Sequence, residues 1–430
     1  MAQSKERRLW QACADGGLEI VNEFANDGAV DVNWVLGDRL DTPLHCACRF
    51  GRLEIVKVLL ALSRIEVNKG NIGDASSFFI ACQEGHKEVV SLLLADPRID
   101  SNKPANGMAT PFYMACQEGH KEVVALLLAD PRIDPNRADD QAATPFFLAC
   151  QNGHKEVVVL LLADSIIDPN KFCSDGESPF SASCRRGCKE VVSLLLADPR
   201  IDPTKPRNNE TTPFFMACQN GHVEVVSLLL ADPRIDPTKQ NNNEATPFFM
   251  ACQNGHVEVV SLLLADPRIA PNIPKNGGAT PLYAACENGH KEVVSLLLAN
   301  PIIEPKKSNN NEATPFIIAC QNGHKEVVSL LLAEPKIDPN KPFNDQSTPL
   351  WFASQNGHLA VVQRLLASGR EIDTRKRSDF NNRTAAEQGK ASGILDKEDD
   401  ETEEDFERSK TNGPLCADLI DECERDPAAV

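Results

Sequence analysis

Eight of the nine histidines stand in one register: His86, His120, His154, His222, His256, His290, His324 and His358, spaced by 34 residues or twice that. A glutamate follows most of them two positions on, as in His222-Val223-Glu224. Zinc deaminases use such a His-x-Glu pair, but they also need a Pro-Cys-x-x-Cys element, which is missing here. One histidine per stacked unit leaves neighbours about 10 Å apart, too far to share an ion. The expected role is a hydrogen bond to backbone at a turn. Cys184 and Cys188 lie four apart with Cys173 nearby, yet Gly187 should end their helix and no fourth ligand completes a tetrahedral set. Paired aspartates such as Asp130 and Asp134 flank prolines in outer loops, where no cleft separates their pKa values. Glycine-rich phosphate loops and Gly-x-Ser-x-Gly are missing from the sequence. These observations predict no catalytic residue, no metal and no cofactor.

The elements that would position these side chains repeat with them. Thr-Pro recurs at Thr42, Thr110, Thr144, Thr212, Thr246, Thr280, Thr314 and Thr348, with Ser76-Ser77 and Ser178-Pro179 in the same 34-residue register. In the copy from Thr246 the hydroxyl suits a helix cap and Pro247 suits the first helical position. A short helix then runs from Phe248 to Gln253 and stops at Gly255. A second begins at Glu258, with Val259, Val260, Leu262 and Leu263 as its apolar face and Pro267 closing it. The stretch from Pro271 to Gly278, rich in Asn, Gly and Pro, reads as a projecting finger. One such unit cannot bury its own apolar side; stacked copies can. The fold class is therefore an all-α repeat solenoid. Ten full copies are flanked by an imperfect one starting near residue 7, where Arg7-Arg8 replace Thr-Pro, and a truncated one near Thr384.

The pattern TPLHCAC-x-x-G at Thr42 to Gly51, followed by TPFF-x-AC-x-x-GH-x-EVV-x-LLL, resembles the ankyrin repeat. The resemblance implies antiparallel helix pairs, fingers at about a right angle, a curved array with a concave face, and a non-catalytic scaffold for other proteins. Three departures stand out. The unit has 34 residues, with the extra one in the ADPRID loop. The family's histidine after Thr-Pro-Leu survives only as His45, so apolar packing should carry more of the stability. The glycine two residues before the threonine is kept only at Gly176 and Gly278.

The net charge is −18, and residues 396–430 hold 14 acidic and 4 basic groups, or −10, leaving −8 for the rest. Such a balance disfavours nucleic acid, whose phosphates need a basic surface. Ten of the 15 cysteines sit in register, namely Cys13, Cys48, Cys82, Cys116, Cys150, Cys184, Cys218, Cys252, Cys286 and Cys320. Stacking holds them beyond disulfide reach, so they read as small buried apolar residues in a reducing compartment, cytoplasmic or nuclear. MAQSKERRLW lacks the apolar core of a leader, and no run approaches the ~20 apolar residues of a membrane span. A monomer without membrane contact is expected.

In the ankyrin fold the partner meets the exposed end of each first helix and the fingers. The matching pairs here are Arg49-Phe50, Gln83-Glu84, Gln117-Glu118, Gln151-Asn152, Arg185-Arg186, Gln219-Asn220, Gln253-Asn254, Glu287-Asn288, Gln321-Asn322 and Gln355-Asn356. Beside them runs a stripe of cations: Lys69, Lys103, Arg137, Lys171, Lys205, Lys239, Lys307, Lys341 and Arg375. Together they suggest a groove for an extended acidic or amide-rich polypeptide. Alternatively the uniform copies are spacers, since Thr212 to Ile235 repeats identically at Thr246 to Ile269. Specificity would then rest on Arg185, Arg186, Trp34, Arg49 and Phe50, residue types that dominate interface hot spots.

The sequence divides into a repeat array over 1–395, an acidic segment over 396–412 expected to be disordered, and a tail over 413–430. In the tail Cys416, Leu419, Ile420 and Cys423 follow helical spacing. It reads as a helix docked on the array's end, an anchor for another protein, or the stub of a further domain. Two function classes follow: a stand-alone scaffold or adaptor, and the recognition arm of a larger regulatory complex such as a ubiquitin ligase or kinase.

Overall fold

A hydroxyl just before a helix can accept one of the amides that the first turn leaves unpaired, and each repeat begins this way. The computed structural model describes residues 4–392 and 403–426. In it Thr42, Ser76, Thr110, Thr144, Ser178, Thr212, Thr246, Thr280, Thr314 and Thr348 each cap a helix. Each side-chain oxygen accepts the backbone amide three residues on at 3.0–3.3 Å. The capped helices are short, as in Pro247–Gln253, and the second helices follow after a glycine, as in Val257–Leu264. Among the described residues every regular element is helical apart from one isolated bridge between Leu36 and Asp41.

The chain forms two compact units, residues 1–208 and 209–430. In the first, the helices Lys5–Asp15, Pro43–Arg49, Ser77–Gln83, Pro111–Glu118, Pro145–Gln151 and Pro179–Arg186 pack in succession. In the second, Pro213–Gln219, Pro247–Gln253, Pro281–Glu287, Pro315–Gln321, Pro349–Gln355 and Ala385–Ser392 do the same. Second helices stack alongside in both units. The core is thus a spine of first-helix side chains, including Phe112, Phe146, Phe248 and the in-register cysteines, sealed by Val259, Val260, Leu263 and their equivalents. Burial pushes the Cys13 thiol up to about 12 and the other in-register thiols above their ordinary value, so these cysteines act as apolar filler.

Two expected boundaries move. The first helix is capped by Ser4, whose oxygen accepts from the amide of Arg7 at 3.3 Å, so Arg7-Arg8 lie inside the helix rather than at its start. At the other end a helix runs from Glu403 to Arg425, straight through residue 413. The expectation of disorder therefore does not hold for 403–412, while 396–402 lie outside the described residues. Packing overrides the charge run: Cys416, Ala417 and Ile420 are fully buried, and Gly413 approaches Gly389 so closely that a Cβ on either would meet the other's carbonyl oxygen at 2.5–2.7 Å. Lys390 adds an ion pair to Asp421, 2.6 Å between Nζ and Oδ2. Of the three readings of the tail, docking on the array's end is the one observed.

The fingers keep one geometry despite losing their glycines. Leu40, Asp74, Met108, Ala142, Glu210, Glu244, Glu312, Gln346 and Asn382 all take positive φ, 54–65°, at the position of Gly176 and Gly278. What holds the turn is the residue three earlier. The Asn241 side chain accepts the amides of Asn243 and Ala245, both at 3.0 Å, and Asn71, Asp139 and Asn309 do likewise. These Asx bonds offset the left-handed strain.

Candidate partner-binding face

A first helix has little surface to offer. In Pro247–Gln253 every residue but Met250 and Gln253 is buried, and its cap residue Asn254 is exposed. The same exposure falls on Phe50, Glu84, Glu118, Asn152, Arg186, Asn220, Asn288 and Asn322, whereas Gln83, Gln117, Gln151, Gln219, Glu287 and Gln321 are half-buried. Phe50 is 49% exposed.

The amide ladder is partly tied down. Asn152, Asn254 and Asn322 donate to the carbonyls of Gln117, Gln219 and Glu287, one repeat back, at 2.7–2.9 Å. Asn220 and Asn288 instead bond within their own helices. Each of these carbonyls also meets a histidine: Nε2 of His154, His256 and His324 lies 2.7–3.0 Å from the same oxygens. His86, His120, His290 and His358 make the equivalent contacts to Arg49, Gln83, Gln253 and Gln321. The expected turn bond thus reaches across to the neighbouring repeat. Each ring also covers the preceding repeat's glycine, which leaves no room there for a side chain. Among the described residues no group of three metal-ligating side chains converges.

The cation stripe shares this bridging habit. Lys69, Lys103, Arg137 and Lys307 reach the carbonyls of Asn33, Asn68, Asn102 and Asn272 at 3.0–3.4 Å. Lys103 also pairs with Asp74 at 2.7 Å, and Lys239 with Glu210 at 3.6 Å. Lys205 stands 4.3 Å over the Phe172 ring. Lys171 is exposed, Lys341 is half-buried, and Arg375 approaches Glu424 at 3.7 Å.

Two of the three arginines singled out at first-helix ends are held by their own chain. Arg49 pairs with Asp41 at 3.0 Å and with Glu84 at 3.2 Å. Arg185 makes a two-pronged contact to Glu177 at 2.9 and 3.0 Å, and the Glu177 side chain is only 3% exposed. Arg207 joins them through Asp175 and, at 3.7 Å, Glu177. These acidic partners escaped notice, although a signal exists. The residue before the cap is acidic only at Asp41 and Glu177, where the other full repeats carry Ala, Thr or Ser. Trp34 is half-buried and Arg186 exposed.

Gln151 and Arg185 do converge. They line a groove of about 320 Å³ with an apolar floor of Phe147 and Leu148 and a polar wall of Asp139, Asp175 and Glu177. Tyr113 also lines it and donates to Asp139 at 2.6 Å; burial, reinforced by that carboxylate, pushes the phenol above its ordinary value. Such a surface can hold a polypeptide by contact and charge.

Among the described residues no helix is long and apolar enough to cross a membrane. None of the curated proteins compared matches the chain. A family model spanning three ankyrin repeats matches residues 3–71, 78–173, 112–207, 146–241, 214–309 and 302–376, together well over half of the sequence. Capped helix pairs, glycine stops and Asx-braced fingers in that same register leave one conclusion: the chain belongs to the ankyrin-repeat family.

Proposed function

We propose that the protein is a non-catalytic scaffold or adaptor that holds a partner polypeptide on the concave face of the array, along the first-helix ends and finger bases. The observation that carries this reading is selective exposure: the ten Thr- or Ser-capped first helices are buried almost throughout, yet the position at the end of each is open to solvent, apart from the half-buried Asn356. A preformed row of such positions binds with little ordering cost. The partner best suited to the row is an extended acidic or amide-rich segment, met by amides and by exposed lysines such as Lys171, Lys205 and Lys239. The cytoplasm or nucleus is the proposed site of action.

The test compares the native chain with an Asn220→Glu/Asn288→Glu variant as baits, with captured proteins identified by mass spectrometry. Partners of this face are lost from the variant while far-UV circular dichroism stays unchanged. An identical partner list from both baits refutes the assignment. For a captured partner, affinity should fall steeply between low and high salt, and a flat response rules out the charged component. Any test of Arg185 as a contact residue needs Glu177→Ala alongside, because removing Arg185 alone leaves a buried carboxylate.

A further inference from the structure

The outer loops after the second helices carry a second set of bridges. Arg98, Arg132, Arg200, Arg268 and Arg370 each donate to a carbonyl at the end of the previous repeat's second helix, the last residue in Leu60, Leu94, Leu162 and Leu230 and the last but one in Leu332, over 2.7–3.1 Å. The fork also reaches a second carbonyl in two cases, Ile235 from Arg268 at 3.4 Å and Ile337 from Arg370 at 2.7 Å. Arginine therefore fills the crevice between consecutive outer loops. It is replaced by Ile166 and, in two successive repeats, by Ile302 and Lys336. A lysine is a point charge on a flexible stem and cannot span two carbonyls as the guanidinium does.

The crevice stands open at Lys336. A groove of about 500 Å³ lies there, lined by Ile303, Glu304, Pro305, Lys306, Lys307 and Lys336. Three lysines against one glutamate make it cationic on a chain whose net charge is −18. Lys307 is partly engaged, reaching the Asn272 carbonyl at 3.4 Å and Glu304 at 3.8 Å. Lys306 and Lys336 are exposed, and among the described residues neither forms an ion pair within 4.0 Å. Ile303 and Pro305 supply a buried apolar floor, and Ile302 beside them is 65% exposed.

We propose that this outer-loop groove is a second docking site, separate from the first-helix face, that takes an acidic polypeptide segment bearing an apolar side chain. Carboxylates meet Lys306 and Lys336 while the apolar group covers Ile302 and Ile303. The groove is several times the volume of a single phosphate-sized anion, and its lysines come from two different loops. That geometry suits a chain with charges spaced along it.

The test uses the full-length protein and a fluorescein-labelled dodecapeptide of Asp and Glu with two leucines, followed by anisotropy at low salt. The acidic peptide binds, and the same peptide with Lys for Asp and Glu does not. Lys306→Gln/Lys336→Gln weakens binding about fivefold, the factor expected for two partly screened charge contacts. Lys336→Arg keeps the charge but lets the fork reach the Leu298 and Ile303 carbonyls; it closes the groove, weakens binding by a similar factor and raises the urea midpoint. Undiminished binding in either variant overturns the proposal. So does equal competition by inorganic phosphate or heparin, which would mark a site for any anion. The Asn220→Glu/Asn288→Glu variant should bind the peptide as the native chain does. Loss there, with the lysine variants unaffected, would place the peptide on the first-helix face and overturn the second site alone.

Discussion

Replacing Gly255 by alanine tests the cross-repeat bridge most directly. Gly255 has φ +76°, and a Cβ there would sit 2.6 Å from Nδ1 of His290 and 2.8 Å from its Cε1. Left-handed backbone costs a non-glycine residue about 1–2 kcal/mol. The imidazole must also swing away, pulling Nε2 from the Gln253 carbonyl that it now meets at 2.8 Å, a loss of about 1 kcal/mol. The expected total is about 2–3 kcal/mol. Gly277 provides the control, since it has φ +90° with nothing within 4 Å of the added Cβ. Gly277→Ala should therefore cost the strain alone, about 1–2 kcal/mol. Urea unfolding followed by circular dichroism gives each value from the midpoint shift at a common slope. In a His290→Ala background the clash has no partner, so Gly255→Ala should cost no more than the control, a coupling of about 1 kcal/mol. Equal costs for the two glycines in the native background, or zero coupling in the cycle, would refute the bridge.

Arg185→Gln should destabilise by about 2–3 kcal/mol, because Glu177 is left buried, whereas Glu177→Ala/Arg185→Gln, which recreates the Ala143–Gln151 arrangement, should be nearly neutral; urea midpoints of the single and double variants decide. Thr246→Ala removes the cap accepting the Phe249 amide at 3.0 Å and should cost about 1 kcal/mol by the same measurement. The bond from the arginine two residues on holds Asp96, Asp130, Asp198, Asp232 and Asp266 below the usual carboxylate range. Their contribution is present above the unfolded value of about 3.9 and is lost as pH falls through the depressed folded value. Thermal midpoints should drop on acidification through that range, and Asp266→Asn should flatten the drop. An unchanged slope would remove these loops from the acid response.

The repeat, its helix starts and its glycine stops were readable from residues a few positions apart, because capping, proline geometry and apolar periodicity act locally. The buried thiols were readable for the same reason: a small apolar residue recurring in one helical register has to face the core. Sequence by itself therefore determined the unit and the fact that units stack. It could not assign the polar partners. In-register histidines such as His290 bond a carbonyl 37 residues upstream and outer-loop arginines such as Arg268 one 38 residues upstream, distances that only the stacking of one repeat on the next closes. Tertiary structure also decided how free the expected contact residues are. Arg49, Arg185 and several finger lysines are bound within the chain, since a buried or half-buried charge must be paired wherever packing puts it. The end of the array was settled in the same way. A run of acidic residues alone argues for a solvated chain, but the close meeting of Gly389 with Gly413 and the burial of Cys416 and Ile420 outweigh it from Glu403 onward.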